Sequence, residues 1–239
     1  MSIKRDLVRN APTLFHAVAL VETTKEETVR SFRKMALATP PNLYTATSDL
    51  VYTALSGQGY DWALRQIPTI KKEKQRDTAE RVFPLLKDYI QSTHTDWIRP
   101  LDVEYFQVAA DLQIPIRVRG LLSVGSELVV LGTHLWKRRL REEQFRAAIT
   151  ILHKRIYARE ELRSARLNLL DISASPLHGD REFRNLGWDA IALMSDEELK
   201  AFTDRLYEGW KEYNLNPATK PKPNKRPSDQ PDMFDNPGS

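Results

Sequence analysis

Ile114-Pro-Ile-Arg-Val-Arg-Gly-Leu-Leu-Ser123, followed by Val124-Gly-Ser126 and Glu127-Leu-Val-Val-Leu-Gly-Thr-His134, is the stretch that decides the fold. Short apolar runs rich in β-branched residues and bounded by turn residues read as strands. Three are expected, over 103–109, 114–123 and 127–134, with Ser123-Val-Gly-Ser126 as the hairpin turn between the last two. Ile116 and Val118 alternate with Arg117 and Arg119, which predicts a strand with one buried face and one wet, basic face. Downstream, Phe145, Ala148, Ile149, Leu152 and Ile156 recur at helical spacing, so a helix over 141–158 should cover the sheet. A further strand is expected over 166–173, and another within 182–194 around Phe183 and Ile191.

Upstream of this stretch the pattern is helical. Thr24 ahead of Glu27 reads as a cap for a helix over 26–37, and Pro40-Pro41 separates it from a second helix over 43–55. A short segment around Trp62 and Leu64 precedes a long helix over 71–91, which Pro84 should kink. Near the other end, Ser195-Asp-Glu-Glu198 has the capping-box pattern, and Leu199, Phe202, Leu206, Tyr207 and Trp210 follow on one helical face. Residues 214–239 hold six prolines and few large apolar side chains, a composition expected to be disordered. The expected fold class is α+β, with a helical lobe at 1–95, a small mostly antiparallel sheet covered by helices at 96–213, and a Pro/Lys-rich tail at 214–239.

Composition narrows the chemistry. The 239 residues are 41% hydrophobic and 28% charged, and no apolar run approaches the roughly 20 residues of a membrane span. Having no cysteine, the chain holds no disulfide, thiolate nucleophile, iron–sulfur cluster or cysteine–zinc site. A cytoplasmic setting is expected, since the first residues mix charge with only a short apolar stretch and do not form a signal peptide. The five histidines, His16, His94, His134, His153 and His178, show no paired ligand spacing, so no metal or cofactor is expected, and they read as surface or core residues. Neither a Gly-x-Ser-x-Gly elbow, a phosphate-binding Gly-Lys-Ser/Thr loop nor a Gly-x-Gly-x-x-Gly turn is present.

The order helix, three strands, helix, strand resembles the restriction-endonuclease-like nuclease core, in which metal-binding acids sit on the second and third strands. That resemblance implies an acid followed by a Glu-x-Lys triplet, because two carboxylates hold the cation while the lysine positions the attacking water. Here Glu127 is followed by Val129, and no acid lies between Ile114 and Ser123. The chain departs from the nuclease at the positions that carry its chemistry, so the expectation leans away from an enzyme and keeps a diverged relative open.

Net charge is +4, with a basic cluster at Lys137, Arg138, Arg139 and Arg141 that Arg117 and Arg119 could extend. Such groups can neutralise the phosphates of DNA or RNA, or can form a solvated loop beside Glu142 and Glu143.

The tail carries the most specific signal. Gln230-Pro231-Asp232-Met233-Phe234 resembles the peptide by which polymerases and mismatch-repair proteins dock on the bacterial sliding clamp: a glutamine, two variable positions, an aliphatic residue or Met, and a phenylalanine. A glutamine amide satisfies donor and acceptor in a polar pocket, while Met and Phe fill an apolar groove. Pro231 lowers the ordering cost of binding. The resemblance implies the sliding clamp as partner and a regulator or inhibitor of DNA replication that occupies the polymerase-docking groove, as phage inhibitors and one bacterial toxin type do. The alternatives are a DNA repair or replication accessory recruited by the clamp, and a protein-interaction module of a toxin–antitoxin or phage-defence system whose helical N-terminal lobe meets a protein partner.

Overall fold

The computed structural model of the chain describes residues 11–37, 43–175 and 179–215, and shows an α+β fold built on a mostly antiparallel sheet. The hairpin expected from Ser123-Val-Gly-Ser126 joins β4 (Gly120–Val124) to β5 (Glu127–His134), and Gly125 takes the left-handed conformation (φ 60°) that the tight turn needs. β1 (Trp97–Arg99) pairs with the outer edge of β4. From β5 the chain crosses through α7 (Glu142–Tyr157) to β6 (Arg166–Asp171), which lies parallel to β5, and β7 (Arg184–Leu186) closes the order β1-β4-β5-β6-β7.

Because both faces of this sheet are covered, β5 reads Leu-Val-Val-Leu without polar interruption, as a strand buried on both sides should. On one face Leu121, Val130, Leu167 and Leu169 pack with α1 (Leu14–Leu20), α7, α8 (Asp196–Leu215) and Phe32 of α2 (Lys25–Leu37). Leu122, Val129, Leu131, Leu170 and Ile172 point the other way. They meet α3 (Thr45–Thr53), α4 (Tyr60–Gln66), α5 (Glu73–Val82) and α6 (Lys87–Ser92). Helices from the first 95 residues therefore lie on both faces: α1 and α2 on one, α3 to α6 on the other.

The local signals for two helix starts hold. Glu27 N–H donates to Thr24 Oγ1 and Thr24 N–H to Glu27 Oε2; Ser195 and Glu198 exchange the same pair of bonds at the head of α8. α7 starts differently: Gln144 Oε1 accepts from Arg141 N–H, while its amide donates to Val21 O at 2.8 Å and so ties α7 to the end of α1.

Two expectations are corrected. The helix over 71–91 is broken rather than kinked: α5 ends at Val82, Phe83–Leu86 form a 3₁₀ turn, and α6 starts at Lys87, because Pro84 has no N–H to continue the ladder. The strand over 114–123 is two strands in two sheets. Among the described residues β3 (Leu112–Ile116) pairs with β2 (Glu104–Ala109) alone, and its Ile114 and Ile116 enter the first core. Arg117–Arg119 then turn the corner into β4. Gly120 permits that corner, since a Cβ there would stand 2.9 Å from Arg99 O. Arg117 and Arg119 consequently sit in a corner and not along the wet face of a strand.

Candidate functional site

Polar chemistry concentrates where β5 and β6 end side by side. β5 closes on His134 and β6 on Asp171, partners in the parallel ladder, and both are almost wholly buried. His134 Nδ1 lies 2.8 Å from Asp171 Oδ1. An ionised carboxylate only accepts, so Nδ1 is the donor in this bond. Asp171 also accepts from Ser173 N–H at 3.1 Å, from Ser173 Oγ at 3.2 Å, and from the Arg184 guanidinium. Burial by itself would push the Asp171 carboxyl up; His134 and then Arg184 outweigh it and hold the acid below the usual carboxylate range. Arg181 completes the network by donating to Leu135 O and Ile172 O, so two arginines clamp the segment after β6 to the strand ends.

The His134 ring is packed against Phe15 (centroids 5.5 Å apart) and Trp136 (5.2 Å), and its Nε2 has no hydrogen-bond partner. Beside it opens a cleft of about 1270 Å³ whose walls include Phe15, Tyr105, Thr133 and Trp136, with Arg117 and Arg119 on its rim. Thr133 points to the opposite face of the sheet from His134 and stands 3.5 Å from Ser48 of α3.

The basic residues singled out in the sequence separate into two groups. Arg119 is anchored, donating to Ser48 O and pairing with Asp49. Arg138 and Arg141 both pair with Glu22, in the connection between α1 and α2, and stay off the cleft walls. Arg117, Lys137 and Arg139 have no ion pair among the described residues. The clamp-like peptide, Gln230, Pro231, Asp232, Met233 and Phe234, lies outside the described residues, as does His178. Glu127, the acid of the third strand, is at the opposite end of β5 from the cleft and pairs with Arg166. Among the described residues no group of three or more His, Cys, Asp or Glu is placed to hold a metal ion, and no helix is long and apolar enough to cross a membrane.

Sequence reasoning left His134 as an ordinary histidine and passed over Asp171, Arg181 and Arg184. The available signal was positional: two apolar strands, each ending on a buried-type run with one ionisable residue, at what a crossover helix makes the shared carboxyl end of a parallel pair. Neither protein-family models nor curated protein sequences match the chain.

Proposed function

We propose that the protein is a non-enzymatic regulator of DNA replication in the bacterial cytoplasm, docking on the sliding clamp through Gln230–Phe234 and occupying the groove that polymerases use. The observation that carries this is the pentapeptide Gln230-Pro-Asp-Met-Phe234, set 15 residues beyond Leu215, the last residue of α8. That spacing lets the body stand clear while the peptide binds, since a chain of 15 residues spans about 20 Å on average. Adjacent Met and Phe in a polar segment are costly to leave in water and are the anchors an apolar groove requires. The ionisable groups of the body fit this role, because His134, Asp171, Arg181 and Arg184 are committed to holding strand ends together.

The test is clamp binding by the purified full chain. Each anchor of a short docking peptide contributes on the order of 2 kcal/mol, so Met233→Ala/Phe234→Ala should weaken binding at least 100-fold and Gln230→Ala about tenfold. Deleting Gln230–Asp235 should also abolish growth arrest on overexpression. Unchanged clamp affinity in the double variant removes the proposal. DNA contact is the second reading, favoured by the three basic groups without an ion pair; Lys137→Ala/Arg139→Ala should then reduce the salt slope of DNA binding by about two counterions.

A further inference from the structure

β4 stops pairing with β5 at Gly120 opposite Leu131, yet β5 runs on to His134. Arg119 N–H donates to Leu131 O at 2.7 Å, which shows that Leu131 turns its backbone groups toward β4. Ile172 N–H donates to His134 O at 3.0 Å, on the opposite side. Backbone direction alternates along a strand, so the N–H and C=O of Thr133 face the cleft, where no strand of the described residues meets them. Neither has a backbone partner among the described residues. An unpaired strand edge inside a groove with aromatic walls and a guanidinium rim is the arrangement that takes up an extended, acidic peptide by strand addition. The volume, about 1270 Å³, exceeds what a single small ligand usually fills.

We propose that this cleft is a peptide-binding groove and that its occupant is the chain's own segment Asp229–Asp235, laid along the free edge of β5 at Thr133. Charge complementarity selects it: laid there, the segment would bring Asp229, Asp232 and Asp235 toward Arg117, which has no ion pair among the described residues, and Met233 and Phe234 toward Phe15, Tyr105 and Trp136. The proline suits an added edge strand, which leaves alternate N–H groups unused. Reach permits it as well. The Tyr207 hydroxyl is hydrogen-bonded to Asp111, a residue of the cleft wall, and α8 continues eight residues to Leu215, about 12 Å of helix. The 14 residues from there to Asp229 span about 20 Å on average and about 46 Å at full stretch. Met233 and Phe234 cannot fill the groove and the clamp together, so the cleft sequesters the docking peptide until the clamp competes for it. This regulatory meaning rests on the clamp-docking proposal; the groove itself does not.

The test titrates a fluorescein-labelled peptide of residues 228–235 with the full chain. A tethered tail acts at an effective concentration of about 1 mM. For an intrinsic Kd on the order of 100 µM, the wild-type cleft is shielded, and the Met233→Ala/Phe234→Ala chain binds the peptide about tenfold more tightly. Adding Arg117→Glu, on an exposed side chain, should weaken that binding at least about fivefold. A peptide carrying Asp232→Lys should bind the unaltered cleft more weakly, which tests the same charge contact without changing the protein. Equal affinity of wild type and double variant, or indifference to both charge reversals, overturns the proposal. Shielding that grows with protein concentration also overturns it, placing the tail in a second copy. Titrating the same peptide with purified sliding clamp separates the two proposals: binding to clamp but not to the double variant leaves clamp docking standing and removes the groove, and the converse does the reverse.

Discussion

Replacing Asp171 by asparagine keeps the volume and removes the charge at a buried acceptor of four hydrogen bonds. Oδ1 accepts from His134 Nδ1 at 2.8 Å and from Ser173 N–H at 3.1 Å, and an asparagine carbonyl can keep both bonds. Oδ2 accepts from Ser173 Oγ and from Arg184; an amide NH₂ in its place confronts the Arg184 guanidinium donor to donor. The site is 1% exposed, so water cannot repair the mismatch. Breaking one partner of a buried ion pair costs about 3–5 kcal/mol. In a chain of this size that lowers Tm by on the order of 10 °C. Because the folded-state pKa of Asp171 is depressed, its contribution is fully present above the unfolded value of about 3.9 and is lost as pH falls through the lower folded value. Urea unfolding of wild type and Asp171→Asn at pH 7 and at decreasing acidic pH should therefore show a gap that closes only below about pH 4. A gap under about 1 kcal/mol at neutral pH, or one independent of pH, would refute the assignment of a charged Asp171 as the hub of the strand ends.

Gly209 of α8 faces Thr28 of α2, where an added Cβ would come within 2.4 Å of Thr28 Cγ2. Gly209→Ala should destabilise by about 1–3 kcal/mol in thermal unfolding, despite alanine's better helix propensity, and Thr28→Ser should restore most of the loss by deleting that methyl. Phe83 and Phe202 are large, fully buried side chains, one in each core, and Phe83→Ala and Phe202→Ala should each cost about 3–5 kcal/mol. Because the two cores share one sheet, far-ultraviolet circular dichroism and tryptophan fluorescence should report the same single urea transition in either variant; two separated transitions would show independent halves. Ser195→Ala removes one bond of the α8 cap and should cost about 1 kcal/mol by the same assay.

How much of this was legible in the sequence depended on how local the cause was. The caps at Thr24 and Ser195, the turn at Gly125 and the apolar face of α7 are each set by residues within a few positions of one another, and each was readable. The break at Arg117–Arg119 was not, because the alternation Ile116-Arg-Val-Arg119 is a sound strand pattern; the chain turns where Gly120 can approach Arg99, a contact made across 21 positions. β1 was missed for a related reason: its three residues are a strand only because β4 pairs with them. His134 and Asp171 stand 37 positions apart and become neighbours through the crossover of α7, so their pairing belongs to topology and not to spacing. The docking peptide is the opposite case, a signal held entirely in five consecutive residues.

The contact between Gly209 and Thr28 joins positions 181 residues apart. At synthesis rates of about 5 to 20 residues per second, α2 leaves the ribosome roughly 10 to 40 s before the helix that covers it exists. During that interval Phe32, 1% exposed in the finished fold, has no partner in α8, and the nascent chain presents an apolar helix face to whatever it meets. The fold thus sets a time window in which translation speed and chaperone capture, rather than equilibrium stability, govern how much of the protein a cell accumulates.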